Sequence, residues 1–548
     1  MSELPKGGSF LLGTTDYNEI FTPEDFTEEH KMIQRTAAGF VTDKVLTVID
    51  ELENKKEGLI RDLLQGAGEL GLLGADIPEA YDGMEMDKIS SSIIAECFGK
   101  SGSFAMAHSG QTGIGSMPIV FFGTHEQKQK YLPGVVYAEK IGAYALTEPG
   151  AGSDALAAKT RAVLTEDGRY YILNGNKQFI TNTSVADFYI VYAKVDGEKF
   201  SAFIVDAGTP GLSTGPEEHK MGIKGSSTRT VILEDVKIPV ENLLYQVGKG
   251  HVVAFNVLNM GRFKLSANAT GAAKQALELS ASYANDRKQF GTPIASFGMI
   301  KEKLAEMAVK IYISETMVCR LAGMLEKMLH SLDMTGPDGG QVAARGIEEY
   351  ALECSINKIF ATEVQGYAVD EGVQIHGGYG VIAEYPIERL YRDARVYRIF
   401  EGTNEINRTI IPITLLRRGA KGELPVKQAL EELRQRLQAG IPVRSGEADL
   451  VQAAKEIFLL TFAAGLEKFG EGLAKRQELL SRFADMAILT FGMESGWLRA
   501  QKAIAREGEA KAQSKLDMAR VFIQSAIGGI ELLARETAAA IAEGPELA

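Results

Sequence analysis

The segment Arg398-Ile399-Phe400-Glu401-Gly402-Thr403-Asn404-Glu405-Ile406-Asn407-Arg408 places a carboxylate on a glycine turn in front of a helix. Thr403 or Asn404 suits the N-cap of that helix, and Glu405 suits its first turn. The helix dipole would lower the pKa of Glu401, whereas burial beside apolar neighbours would raise it. A single Glu in this position is more often a solvated turn residue than a base. The neighbouring motifs therefore decide how Glu401 is interpreted.

The composition is that of a globular protein with several domains. The chain has 548 residues, 45% of them hydrophobic, and a net charge of -13, which argues against a nucleic-acid partner. No apolar run is long enough for a transmembrane segment. The first 30 residues lack the patterns of a signal or transit peptide, so we expect a cytoplasmic location. The cysteines and histidines show no metal-ligand spacing, and we expect no metal.

Changes in residue pattern predict an α+β multidomain fold with five parts. Residues 1–26 form an N-terminal extension, 27–140 an N-terminal α-helical domain and 141–248 a middle antiparallel β-domain. Long amphipathic patterns at 249–418 predict a helical bundle, and 426–548 an additional C-terminal helical domain. Glycine-rich residues 334–345 are predicted to form an exposed loop, and residues 417–425 a linker.

Two motifs in the middle part are suited to holding a polar ligand. Residues 144–154, YALTEPGAGSD, leave a strand and enter a glycine-rich turn that can cradle a phosphate or a ring edge. Residues 179–182, FITN, follow a strand and could place an aromatic face and a hydroxyl beside the same ligand. Ordinary loops use the same residue types, so neither motif is decisive alone.

Two further motifs end helical runs. Residues 286–291, DRKQFG, bring two cations and a glycine, which suit either a helix C-cap or a pyrophosphate anchor. Residues 374–380, QIHGGYG, contain paired glycines that allow close approach of the backbone. His376 by itself is more often a packed histidine than a catalyst.

Taken together with MGIKGSST at 221–228, these motifs resemble the acyl-CoA dehydrogenase family over about residues 27–417. The added C-terminal part looks most like the very-long-chain branch and its bacterial relatives. The resemblance implies an N-terminal α-domain, a middle β-domain and a C-terminal four-helix bundle, with FAD between the last two. It also implies FAD-dependent α,β-dehydrogenation of fatty acyl-CoA to trans-2-enoyl-CoA in fatty acid β-oxidation. Electrons would pass to an electron-transfer flavoprotein.

The resemblance also implies roles for individual residues. Glu401 matches the catalytic base and Arg262 the arginine that steadies it, while Gly261 lies where some relatives carry the base instead. Substrate contacts are expected from Glu401 and Arg262 and from Gly110, Ser153, Leu258 and Asn259. Cofactor contacts are expected from Tyr144, Leu146, Thr147, Gly152, Ser153, Phe179, Ile180, Thr181, Thr403 and Glu405. Residues matching those that reach FAD from a neighbouring subunit, and so implying a homodimer, are Arg287, Gln289, Phe290, Gln374, Gly377 and Gly378.

Three questions stay open at this point. Gly110 predicts either a deep pocket for long acyl chains or only tight helix packing. An acyl-CoA oxidase differs from a dehydrogenase in the access of oxygen to the reduced flavin, which the sequence does not settle. A non-catalytic scaffold or assembly protein that retains the fold is a third possibility, although the complete set of flavin motifs argues against it.

Overall fold

The computed structural model describes residues 4–440 and 446–542. Parts of the predicted N-terminal extension (1–3) and of the predicted C-terminal domain (441–445 and 543–548) lie outside the described residues. Along the described residues the order of elements is helical, then β, then helical, so the predicted fold class is confirmed.

The first helical part contains seven α-helices, joined by short 3-10 and π turns. The bounds are α1 Glu28–Phe40, α2 Ile49–Glu53, α3 Leu59–Glu69, α4 Lys88–Gly99, α5 Ser103–Ser109, α6 Met117–Phe122 and α7 His125–Val136. Thr27 caps α1 by accepting a hydrogen bond from the His30 backbone amide at 3.2 Å. The sequence predicts one helix over 27–52, but a π turn at Val41–Val45 interrupts it.

The middle part is one eight-stranded sheet. The strand bounds are β1 Gly142–Ala145, β2 Arg161–Leu164, β3 Tyr170–Thr181, β4 Phe188–Val195, β5 Lys199–Asp206, β6 Leu212–Glu217, β7 Thr228–Pro239 and β8 Leu243–Leu244. The strands follow the order β6-β7-β3-β2-β4-β5-β8, with β1 paired to β4. Most pairs are antiparallel, but β1 and β2 run parallel to β4, so the sheet is mixed rather than purely antiparallel. β3 also extends beyond the predicted 170–173 and includes the first three residues of FITN.

The second helical part is built on long helices that pack side by side. A small hairpin of β9 Lys288–Gln289 and β10 Thr292–Pro293 follows the first of them. The helix bounds are α8 Gly250–Asp286, α9 Gly298–His330, α10 Gly339–Glu348, α11 Ala351–His376, α12 Pro386–Tyr397 and α13 Asn404–Lys421. α8, α9 and α11 pack against one another, and α13 lies against α11.

Two predictions about this part need correction. The predicted loop at 334–345 includes the start of α10, whose Ala344 and Ile347 are buried. The predicted linker at 417–425 is partly the end of α13, and the Arg418 guanidinium is buried, 2.7 Å from Glu349 Oε1. In both cases contacts distant in sequence stabilise helix where glycines and charges suggest irregular chain.

In the described residues from 426 to 440 and 446 to 542, the C-terminal part adds four α-helices to the molecule. The bounds are α14 Val426–Ala439, α15 Glu447–Phe469, α16 Gln477–Glu507 and α17 Glu509–Ile541. α16 packs on both α9 and α13, so the added helices touch the bundle directly. The N-terminal extension crosses the same junction, where the Phe10 ring lies 4.8 Å from the Phe491 ring on α16.

None of the described helices is long and apolar enough to cross a membrane. Across the described ranges, no group of three or more His, Cys, Asp or Glu side chains is placed to hold a metal ion. Cys97, Cys319 and Cys354 are buried free thiols.

Candidate active site

The turn at 398–403 joins α12 to α13 with two consecutive residues in the left-handed region. Glu401 has φ 56° and Gly402 has φ 79°. Thr403 is the N-cap of α13, and its hydroxyl accepts a hydrogen bond from the Ile406 amide at 3.2 Å. Asn407 Nδ2 donates to the Gly402 and Thr403 carbonyls at 2.8 and 3.1 Å. The first turn of the helix therefore holds the backbone that carries Glu401.

Burial makes Glu401 a stronger base than an ordinary glutamate. The residue as a whole is partly exposed, but its Oε2 atom is sealed from solvent and has no hydrogen-bond partner among the described residues. Burial raises the pKa of Glu401 to about 7, although the charges of Arg262 and Lys358 lower it. The carboxylate can therefore take up a proton near neutral pH.

Gly261 on α8 leaves the space that this carboxylate occupies. A Cβ atom on Gly261 would lie 2.5 Å from Glu401 Oε2 and 2.8 Å from its carboxyl carbon. A side chain on Gly261 and the observed position of the Glu401 carboxylate are therefore incompatible.

Arg262 reaches the turn rather than the carboxylate. Its Nε donates to the Glu401 backbone carbonyl at 3.2 Å, and its Nη1 donates to Asn259 Oδ1 at 3.1 Å. Arg262 is buried, so its charge still acts on Glu401 through space. Asn259 in turn orients Arg262, whereas Leu258 is half-buried one residue earlier on the same helix.

Lys358 on α11 is a buried cation that the sequence does not reveal. Its Nζ atom donates to the Gly402 carbonyl at 2.9 Å and to Asn404 Oδ1 at 2.7 Å. Burial lowers the pKa of Lys358 to about 7, while the charge of Glu401 raises it. No local motif marks this lysine, because the turn it binds lies more than 40 residues away along the chain.

The two middle-domain motifs lie together. The Gln178 amide donates to the Thr147 carbonyl at 2.9 Å, and buried Lys177 pairs with Glu148 at 2.7 Å. Phe179, the residue after Gln178, has φ 59° and is 62% exposed. A bulky residue held in this conformation with its ring in the open is typical of a ligand contact.

The other middle-domain residues divide into buried and open sets. Tyr144 and Leu146 are buried, and the Tyr144 hydroxyl lies beside the buried hydroxyl of Tyr192. Ile180 packs in the core of the sheet, so its side chain does not face a ligand, and Thr181 is half-buried. Gly152 and Ser153 lie on the open side of the glycine turn, where a Cβ on Gly152 would have no described atom within 4 Å.

Gly110 lies in a π turn, Gly110–Gly115, against the FITN segment. A Cβ atom on Gly110 would lie 2.8 Å from Asn182 Nδ2, which donates to the Ala107 carbonyl at 3.0 Å. A larger residue here would displace Asn182. The contact with Asn182 supports the explanation that Gly110 serves tight packing. A role of Gly110 in substrate binding stays a prediction.

A second group of predicted residues lines a separate cavity of about 440 Å³. Arg287, Gln289, Gly377 and Gly378 line it, together with Tyr283 and Tyr379. The Arg287 guanidinium carbon lies 5.5 Å from the centre of the Tyr379 ring. Phe290 is 95% exposed and Gln374 is exposed beside this cavity wall. Glu401 is not among the described residues that line this cavity, so the predicted site residues of one chain lie on two separate surfaces, one at the Glu401 turn and one at the cavity.

Family models match most of the chain. Models described as the N-terminal, middle and C-terminal domains of acyl-CoA dehydrogenase match residues 27–139, 143–236 and 248–416. A second C-terminal domain model matches residues 453–548. The chain belongs to the acyl-CoA dehydrogenase family. The family and the enzyme class predicted from the sequence are therefore confirmed.

Individual acyl-CoA dehydrogenases match along nearly the whole chain. A probable acyl-CoA dehydrogenase of Bacillus subtilis is 52% identical, over 100% of this chain and 93% of the relative. The very long-chain specific acyl-CoA dehydrogenase of Rattus norvegicus is 34% identical, over 85% of this chain and 72% of the relative. The crystal structure of a Bacillus anthracis acyl-CoA dehydrogenase complexed with FAD has a TM-score of 0.97 and 52% identity, and the match covers 99% of this chain and 94% of that one.

Proposed function

We propose that this enzyme removes hydrogen from the α and β carbons of fatty acyl-CoA thioesters, forming trans-2-enoyl-CoA in fatty acid β-oxidation. The observation that carries the proposal is the Glu401 carboxylate, whose Oε2 atom is sealed from solvent and whose pKa burial raises to about 7. The α proton of a thioester is a weak acid, so a solvated glutamate would be a poor base for it. Burial supplies the missing basicity.

Two cationic side chains, those of Arg262 and Lys358, fix the backbone of the Glu401 turn. Arg262 binds the Glu401 carbonyl and Lys358 binds the Gly402 carbonyl, so both sides of the turn are fixed. Their positive charges also stabilise the ionised carboxylate before the proton is taken up. After transfer, the neutral Glu401 is favoured by its buried surroundings, which drives the step forward.

FAD is the cofactor of this family, and the residues present fit it. When bound, FAD would supply the acceptor for the hydride that leaves the β carbon. The open glycine turn at Gly152 leaves room for a phosphate or ring edge, and the exposed Phe179 ring offers a stacking face beside it. Thr403 and Glu405 are proposed to contact the same cofactor from the start of α13.

We propose a homodimer in which Arg287, Gln289, Phe290, Gln374, Gly377 and Gly378 serve the partner's cofactor. Support comes from the separate cavity that four of them line and from the almost fully exposed Phe290 ring. The domain boundaries and the cytoplasmic location remain predictions from the sequence. Long acyl chains as substrates and an electron-transfer flavoprotein as acceptor belong to the same proposal, supported by the likeness to the very-long-chain branch.

The test is reductive bleaching of the bound flavin under anaerobic conditions by acyl-CoAs of increasing chain length. We expect the fastest bleaching with long chains, and a loss of roughly 10²- to 10⁴-fold in Glu401→Gln. Glu353→Gln is the matched control, because burial also raises the pKa of Glu353 to about 7, yet its Oε1 accepts from the Gly8 amide. Full-speed bleaching in Glu401→Gln would refute the base assignment.

A second measurement separates dehydrogenase from oxidase. Substrate-reduced enzyme is mixed either with oxygen or with an electron-transfer flavoprotein. We expect rapid reoxidation only by the flavoprotein. Rapid formation of one peroxide per flavin would contradict the proposed acceptor.

A further inference from the structure

A continuous chain of polar contacts connects the added C-terminal helices to the turn of Glu401. It begins at Asp485 on α16, whose Oδ1 accepts from Arg408 Nε on α13 at 2.8 Å. The other two nitrogens of Arg408 donate to the two carboxylate oxygens of Glu363 on α11, at 2.8 and 3.0 Å. Arg408 therefore uses its whole guanidinium to join three helices.

The chain continues from Glu363 to the backbone beside Glu401. Glu363 Oε1 also accepts from Asn404 Nδ2 at 3.0 Å. Asn404 Oδ1 accepts from Lys358 Nζ at 2.7 Å, and the same Nζ donates to the Gly402 carbonyl at 2.9 Å. Every step from Asp485 to this carbonyl is a direct side-chain contact.

The turn needs such support because its backbone is strained. Glu401 is a non-glycine residue with φ 56°, a conformation that is unfavourable unless the surroundings hold it. Arg262 and Asn407 hold the turn from one side. Lys358, fixed through Asn404 and Glu363, holds it from the other.

We propose that Asp485 of the added C-terminal domain is a positioning residue for Glu401, acting through Arg408, Glu363, Asn404 and Lys358. The inference rests on the proposed role of Glu401 as the base. It gives the added helices a part in catalysis. Asp485 on α16 accepts the Nε hydrogen bond of Arg408, fixes the guanidinium, and so restricts the conformations available to the Glu401 turn.

The charged groups around both ends of the chain set the expected direction of a pH effect. Glu401 faces Arg262 on α8, Lys358 on α11 and the Tyr144 hydroxyl on β1. Arg408 faces Glu363 and Asp485. If the turn loosens, water reaches Glu401, and its pKa falls from about 7 toward the ordinary value of a glutamate.

The test compares two variants of the holoenzyme, Asp485→Asn and, as the matched control, Arg506→Gln. Arg506 is also on α16 and also pairs across the domain junction, with Asp25, but it lies outside the polar chain. For Asp485→Asn we expect kcat to fall about 10- to 100-fold. Flavin content and KM should stay as in the control, and the acidic limb of the kcat/KM profile should move to lower pH. Asp485→Glu should restore part of kcat.

Failure of this inference can be told apart from failure of the proposed function. If Asp485→Asn matches Arg506→Gln in kcat and in pH profile while Glu401→Gln is inactive, the positioning role is overturned and the base assignment stands. If Glu401→Gln keeps full activity, the base assignment itself is wrong. A variant that loses only thermal stability, with an unmoved pH profile, would also overturn the positioning role.

Discussion

At the scale of the residue, burial decides the chemistry of Glu401. The side chain lies close to the N-terminus of α13, where the dipole favours a charged carboxylate. Burial nevertheless raises the pKa of Glu401 to about 7. Gly261 contributes by leaving room for the carboxylate against α8. These contacts join residues about 140 positions apart, so no local pattern could have shown which effect is larger.

The raised pKa predicts that Glu401 makes the protein less stable as the pH rises. In the unfolded chain this carboxyl ionises near its ordinary pKa of 4.5, whereas in the folded state it does so near 7. Below the unfolded-state pKa this difference costs the folded protein no stability, and above the folded-state pKa the loss of stability is complete. Glu401→Gln should therefore raise the free energy of unfolding by roughly 1–3 kcal/mol at about pH 8.5 and leave it nearly unchanged at about pH 4.5.

Urea unfolding of the holoenzyme at both pH values measures this difference. Glu405→Gln is the control, because that exposed carboxylate on the same turn has a lowered pKa. The control should show no gain at the higher pH. An equal effect of Glu401→Gln at both pH values would mean that Glu401 ionises normally in the folded protein.

At the scale of the element, the position of α8 depends on two glycines at its crossing with α4. A Cβ on Gly271 of α8 would overlap the Glu96 carbonyl of α4, and a Cβ on Gly99 of α4 would overlap the Asn268 carbonyl of α8. The two backbones therefore approach more closely than side chains would allow. Gly261 and Arg262 are carried on the same helix, so this contact also helps to place the site.

Gly271→Ala should lower the free energy of unfolding by roughly 1–3 kcal/mol, since the methyl group forces the two helices apart. Gly528→Ala is the matched control: this glycine is exposed on α17, and a Cβ there would have no described atom within 4 Å. The control should gain about 0.5–1 kcal/mol from helix propensity. Chemical denaturation of both variants measures the difference, and a gain in Gly271→Ala would show that the helices are not in close contact.

Long periodic elements could be predicted from the sequence, whereas short ones could not. The pattern predicts helices at 251–287 and 298–332, and α8 and α9 end within two residues of these limits. The sequence does not predict strands β2 and β6, since most of their residues are exposed or half-buried and show little alternation of apolar and polar side chains. The sequence predicts a loop where α10 begins, because its glycines and the preceding aspartate are ordinary turn residues.

At the scale of the whole molecule, the N-terminal extension ties the added helices to the bundle. Arg499 of α16 is buried and donates to Glu24 of the extension at 3.0 Å and to Glu315 of α9 at 2.7 Å. Lys502 pairs with Asp25 of the extension at 2.5 Å. The extension therefore lies inside the junction between the two helical domains.

Arg499→Met should lower the free energy of unfolding by roughly 2–4 kcal/mol, because it breaks the buried pairs with Glu24 and Glu315 and leaves each carboxylate with a single cation, Lys515 and Lys274 respectively. Arg520→Gln is the control, since it removes an exposed ion pair between α17 and Glu447 of α15, worth at most about 1 kcal/mol. Thermal unfolding by calorimetry compares the two. Similar small effects in both variants would mean that the buried pairs do not hold the junction.

The sequence by itself determined the order of helical and β parts, because apolar periodicity is a local property of the chain, and its motifs indicated the family by resemblance, which in turn supplied the candidate residues. Only the tertiary structure decided that Arg262 binds the backbone of the turn, that Lys358 supports it, and that the Glu401 carboxylate packs against Gly261. It also connected Asp485 to that turn. Burial and electrostatic coupling depend on distances between helices far apart in the chain, which a linear pattern does not contain.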